Sequence, residues 1–202
     1  PKPLAYVTAM VGLRTLTDSL LLLSQLQNET SGGVEAFEFM PRRYIERHLE
    51  KKEGSSEPFS EPHDVNILLE VATTRTSDLE QDDNGTQKLQ SIVETAIMDM
   101  IEDGSAQDAV IAQNETQRRA MWERREAAAE ITFGIPGSID TDIAVPLDNV
   151  PIFLERVSDR VKEIDSTGEE FYIAHLGDGN LHYTFYPSCL LYTSDAADDT
   201  PC

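Results

Sequence analysis

Apolar residues at 89, 92, 93, 96, 97 and 100 form a stripe of helical period, which predicts a helix over Thr86 to Ile101. Leucines at 16, 20, 23 and 26 do the same for Thr15 to Gln27. Thr17 or Asp18 is its expected cap, and the Ser31-Gly32-Gly33 cluster ends it. Pro3 to Leu13, Val34 to Met40, Val65 to Thr73 and Asp108 to Gln113 read as strands. Pro41 to Leu49 opens like a short helix with proline at its first position. Glu50 to His63 is polar, carries Pro58 and Pro62, and reads as a loop. The first half thus runs strand-helix-strand-strand-helix-strand, the order of a ferredoxin-like βαββαβ unit with an antiparallel sheet and helices on one face. Beyond it come a long charged helix (Gln113 to Glu130), a Gly/Pro loop (Gly134 to Gly137) and a strand (Asp142 to Val145). A helix (Asp148 to Ile164) and two strands around Gly177-Asp178-Gly179 complete the pattern. The class is α+β.

Charge narrows the functions. The 202 residues carry a formal net charge of -21, from 37 acidic and 16 basic side chains. Nucleic-acid binding needs a basic footprint and is not expected. No apolar run is long enough for a transmembrane segment, and no secretion signal is visible. A cytoplasmic location is expected, with peripheral attachment at the inner membrane as the variant. Both cysteines, Cys189 and Cys202, fall in the tail CLLYTSDAADDTPC. That string resembles the conceptual translation of a transposon-based sequencing adapter. Residues 189–202 are therefore set apart as non-native, leaving a domain over 1–188 that is expected to be truncated at its C-terminal side. With the tail goes every cysteine, and with them disulfides and thiolate ligands.

Phe171 to Pro187, FYIAHLGDGNLHYTFYP, holds two of the four histidines. Asp-Gly suits a two-residue type I′ turn, with both residues at positive φ. A turn at Asp178-Gly179 would set Leu176 opposite Leu181 and His175 opposite His182, about 5 Å apart at Cβ on one sheet face. Two imidazoles so placed could grip one metal ion and leave a position open for substrate. A hairpin with two incidental histidines is the plain alternative, and the residues alone leave both open.

Within this stretch, HLGDGNLH (His175 to His182) resembles the signature of the C-terminal domain of FAD-linked oxidases. That family includes flavin-dependent D-lactate and D-2-hydroxyglutarate dehydrogenases and the glycolate oxidase flavoprotein subunit. VEAFEFMP (Val34 to Pro41), MWERRE (Met121 to Glu126) and TDIAVPLDNVPIFLE (Thr141 to Glu155) match further stretches of the family in order. The resemblance implies that His175 and His182 are catalytic residues that ligate a divalent metal, zinc being expected. It places a third ligand in a Glu-His-Gly motif that this chain lacks. It assigns Arg125 to the substrate carboxylate, a pairing that suits a guanidinium fork. Thr184 falls at a substrate-binding position, and Asn180 is assigned to the cofactor. FAD would be held mainly by an N-terminal domain. The implied reaction is oxidation of a small 2-hydroxy acid to the 2-oxo acid, with hydride transfer to flavin. The electron acceptor would be a quinone, an electron-transfer flavoprotein or another subunit. A homodimer or a multi-subunit complex is the expected assembly.

Three positions depart from the hydroxyglutarate pattern: Thr184 replaces an asparagine, Asp140 a lysine and Ala129 a threonine. An acid in place of a base should repel a second carboxylate, which favours a lactate- or glycolate-type substrate. The same changes suit a rival reading, a non-catalytic lid or subunit-interface module. A free-standing metal-dependent hydrolase is a third. His48, on a polar helix end, and His63, in the proline loop, are expected to be solvated. Without the resemblance, Arg125 would read as one more solvated charge beside Arg118, Arg119 and Arg124.

Overall fold

Every residue of Val65–Thr73 is buried, because this strand lies at the centre of a sheet covered on both sides. The computed structural model describes residues 2–132 and 137–188. The tail and all of the Gly134–Gly137 loop except Gly137 lie outside the described residues. The strands are β1 (Ala5–Leu13), β2 (Val34–Pro41), β3 (Val65–Thr73), β4 (Ala106–Ile111), β5 (Ile139–Ala144), β6 (Glu169–His175) and β7 (Asn180–Tyr186). The helices are α1 (Leu16–Thr30), α2 (Arg42–Lys51), α3 (Lys88–Glu102), α4 (Glu115–Glu126), α5 (Ala128–Thr132) and α6 (Val150–Ile164).

The seven strands form one sheet in the order β4-β1-β3-β2-β6-β7-β5, and every pair is antiparallel. The first four reproduce the expected ferredoxin-like unit. β6 then pairs with β2 through Glu38 and Phe39, extending the sheet with the β6–β7 hairpin and β5. Period-two alternation divides the side chains. Val7, Phe37, Ile67, Leu69 and Leu181 point into the larger core with α1, α3 and α6. Met10, Met40, Leu68, Phe171 and Ile173 point the other way, towards α2, α4 and α5. The two helices of the ferredoxin-like unit, α1 and α3, do share one face. Of the four added helices, α6 joins α1 and α3, while α2, α4 and α5 cover the second face, so helices flank the sheet on both sides.

Local chemistry explains where the elements begin and end. α1 is capped by Thr15, not by Thr17 or Asp18. The Thr15 hydroxyl accepts from the Asp18 amide at 3.1 Å, while the Asp18 carboxylate accepts from the Thr15 amide at 3.0 Å. Ser31, at φ 57°, closes that helix in the left-handed region. The long charged helix expected over Gln113 to Glu130 is broken in two. It turns at Ala127, whose amide donates to the Glu123 and Arg125 carbonyls. The break lets Ala127 and Ile131 enter the smaller core.

Candidate functional site

The β6–β7 hairpin brings the two histidines together, but by a different register from the one Asp-Gly suggests. His175 pairs with Asn180, and His182 with Ile173. Asp178 does not take positive φ; Gly179 alone in the turn does, at 78°. A type I′ turn, which needs both, is thereby excluded. The connection is a four-residue loop, with the Gly179 amide donating to the His175 carbonyl at 3.0 Å. Two neighbours hold this register. Leu176 is fully buried and its amide donates to the Phe37 carbonyl at 2.8 Å. Gly179 packs so closely on the Val145 carbonyl oxygen that a Cβ there would lie 2.1 Å from it. The histidines are therefore diagonal rather than opposed, yet they share a face. Their ring centroids are 5.1 Å apart, edge to face.

Each ring is held from behind by a carboxylate. His175 Nδ1 lies 2.7 Å from Glu38 Oε2 and His182 Nδ1 bonds Asp142 Oδ1. Glu38 is 6 % exposed and also accepts from Arg125 Nε at 2.8 Å. Arg125 Nη2 is 3.3 and 3.5 Å from the two His175 ring nitrogens, so it abuts the ring. Pairing each Nδ1 with a carboxylate orients the two rings and turns each Nε2 away from its carboxylate.

The placement of Arg125 follows from its own motif. Trp122, three residues earlier on α4, donates from Nε1 to Glu70 Oε2 at 2.9 Å and ties the helix to β3. The buried Tyr44 hydroxyl of α2 donates to the carbonyl of Arg124 at 2.6 Å, with that of Arg125 at 3.1 Å. Burial pushes the Tyr44 phenol up, so it stays a proton donor. Arg125 is itself buried at 8 % exposure, and is no solvated helix charge.

Arg125, His175, His182 and Thr184 line one cleft of about 350 Å³, floored by Phe171 and Ile173 and walled by α5 and β5. Ala129 and Asp140 line it too, so positions separated by some sixty residues in the chain converge there. Thr184 is buried and donates from Oγ1 to Asp140 Oδ1 at 2.7 Å. Asn180 shares the sheet face, directly across from His175. Among the described residues no group of three or more His, Cys, Asp or Glu side chains is placed to hold a metal ion.

Glu38 and Asp142 were not singled out by sequence reasoning. Both lie in the stretches that carry the resemblance, and an acid between two phenylalanines, Phe37 and Phe39, was the available signal for Glu38. His48 and His63 are buried, against expectation. His63 packs on Phe59, ring centroids 5.2 Å apart, and over Gly12, where a Cβ would meet its ring at 2.3 Å. Neither joins the cleft.

The sequence model of the FAD linked oxidases, C-terminal domain, matches residues 2–192. A Schizosaccharomyces pombe protein that bears the name of a mitochondrial D-lactate dehydrogenase is 30% identical over 193 residues, covering 90% of this chain and 34% of its own length. An Oryza sativa subsp. indica protein, named a probable mitochondrial D-2-hydroxyglutarate dehydrogenase, is 30% identical over 150 residues, 74% of this chain and 24% of its own. The chain thus spans about a third or less of the length of these curated relatives. Their names place them in mitochondria, which gives the cytoplasmic expectation no support. The solved structure of an alkyldihydroxyacetonephosphate synthase superposes with a TM-score of 0.50 at 9% identity, covering 92% of this chain and 37% of its own, a likeness of fold alone.

Proposed function

The chain belongs to the FAD linked oxidase C-terminal domain family, and from that premise we propose that it forms the substrate-binding part of an FAD-dependent D-2-hydroxy-acid dehydrogenase. The observation that carries this reading is the convergence of Arg125, His175, His182 and Thr184 on one cleft. Arg125 binds the substrate carboxylate, and its bond to Glu38 keeps the guanidinium oriented while it does so. His175 and His182 line the side of the cleft that takes the 2-hydroxyl. The apolar floor of Phe171 and Ile173 keeps water from the carbon that is oxidised. A divalent ion, zinc by the character of an imidazole pair backed by carboxylates, would be held by these two rings and would polarise the hydroxyl. FAD, bound mainly by sequence outside this chain, supplies the hydride acceptor, with Asn180 on its side of the site.

Substrate choice follows from Asp140. It stands on the cleft wall, bonded to Thr184, and a second carboxylate on the substrate would face it. A monocarboxylate of the lactate or glycolate type is the substrate this wall favours over 2-hydroxyglutarate. The test uses the full-length enzyme, purified with FAD and assayed with D-lactate, glycolate and D-2-hydroxyglutarate through an artificial acceptor. Arg125→Gln should lower kcat/KM by about a hundredfold, the scale of one charge-assisted pair. His182→Ala should stop turnover and leave the flavin bound. Unchanged activity in either variant refutes the reading.

One observation favours the non-catalytic alternative. Arg125 already has a carboxylate partner in Glu38. A lid or subunit-interface module would bind no metal and no hydroxy acid, so metal content of the full-length protein separates the two. A free-standing hydrolase would need no flavin, and the family relationship speaks against it.

A further inference from the structure

The ladder between β5 and β7 sets two side-chain pairs along one wall of the cleft. Asp142 lies across from His182, and Asp140 across from Thr184. Residues two apart on a strand share a face, so the second pair stands roughly 6–7 Å along the ladder from the first. The two acids differ in what they have left to offer. Asp142 is bonded to the His182 ring. Among the described residues the side-chain partners of Asp140 are two hydroxyls, neither of which neutralises its charge. Its Oδ1 accepts from Thr184 Oγ1 at 2.7 Å, and its Oδ2 from Ser138 Oγ at 3.0 Å. An ionised carboxylate has about four acceptor sites, so both oxygens keep capacity. Asp140 is exposed and lines the cleft, while Thr184, which steadies it, is buried. Arg125 reaches the same cleft from α4, on a different wall. A cleft with a guanidinium on one wall and an unneutralised carboxylate on another is complementary to a ligand that is anionic at one end and donates hydrogen bonds at the other.

We propose that Asp140 is the specificity-determining residue for the far end of the substrate. It selects a 2-hydroxy acid whose fourth carbon carries a hydrogen-bond donor, an ammonium before a hydroxyl. This rests on the dehydrogenase reading and narrows it to one kind of monocarboxylate. With the 2-hydroxyl beside His182, a substituent on the fourth carbon lies about 5 Å further on, by bond-length arithmetic. A hydrogen bond from there to Asp140 completes the ladder spacing. The cleft, at about 350 Å³, has room for such a chain. D-Lactate and glycolate end before this point and would bind without the contact. A methyl group there would leave the Asp140 carboxylate unpaired, and a second carboxylate would meet it as a like charge.

The test uses the full-length enzyme with FAD and four acids that differ only at the fourth carbon. D-4-Amino-2-hydroxybutanoate carries an ammonium there at neutral pH, D-2,4-dihydroxybutanoate a hydroxyl, D-2-hydroxypentanoate a methyl and D-2-hydroxyglutarate a carboxylate. kcat/KM should fall in that order, with the ammonium acid about tenfold above the methyl acid, the scale of one charged hydrogen bond. Asp140→Asn keeps the shape and removes the charge, and should bring that ratio close to one. Asp140→Lys should reverse the order of the ammonium and carboxylate acids. Equal kcat/KM for the ammonium and methyl acids in the wild type overturns the proposal and leaves the dehydrogenase reading standing. So does a ratio that Asp140→Asn does not change. If none of the four acids, nor D-lactate or glycolate, reduces the flavin, both fail together.

Discussion

Phe37, Phe39, Ile67 and Leu69 sit on one face of the sheet in a continuous apolar core, while Glu38, Asn66 and Glu70, from the same two strands, point to the opposite face. The first face is held by burial, which has no direction. The second adds to its smaller apolar core bonds that do. Glu38 joins His175 and Arg125, and Glu70 accepts from Thr8, Arg118 and Trp122. A core of the first kind stabilises the sheet without caring about angles. A network of the second kind sets the orientation of rings and guanidinium groups, at the cost of burying charge.

That division can be tested in order of size. Phe37→Ala empties a fully buried position on the apolar face. It should cost about 3–5 kcal/mol in urea unfolding, nearly the same at pH 4 and pH 7. Gly179→Ala forces a side chain into positive φ and against the Val145 carbonyl, and should cost about 3 kcal/mol while loosening the hairpin that pairs the histidines. Glu70→Gln probes the polar face and should cost about 2 kcal/mol at pH 7. Its loss should depend on pH. Burial alone would raise the Glu70 carboxyl, but the bonds from Arg118, Thr8 and Trp122 outweigh burial and hold it below the usual glutamate range. A carboxyl lowered on folding contributes stability above its unfolded value of about 4.3, and that contribution is lost as pH falls through the folded value. The gap between wild type and Glu70→Gln should therefore close on acidification. If it stays constant, or if Phe37→Ala acquires the pH dependence instead, the contrast between the faces fails. Thr15→Ala removes only a helix cap on the apolar side and should cost about 1 kcal/mol.

The sequence disclosed the ferredoxin-like half well, because its strands and helices keep clean periods and its connections are short. The helices on the second face were harder to place. α4 is so rich in charge that only Met121, Trp122 and Arg125 show which side faces the sheet. The histidine pair was legible, but its register was not. Asp-Gly favours a tight turn locally, and the burial of Leu176 and the approach of Val145 to Gly179 overrule it from a distance. His48 and His63 were misjudged because a polar neighbourhood in sequence says little about a ring that tertiary packing encloses. Arg125 could be chosen among its neighbouring arginines only through the family resemblance. Glu38, its partner 87 residues away, was not placed beside it by any local pattern.

β5 ends the sheet, and its outer backbone edge carries no partner strand among the described residues. Such an edge is a template for strand addition by another copy of the chain, the first step of aggregation. Asp140 and Asp142 alternate along it, with Asp142 largely exposed. Two copies meeting edge to edge would bring carboxylates face to face, and like charges in that position repel. The acids that bond Thr184 and His182 thus also lay like charge along this edge.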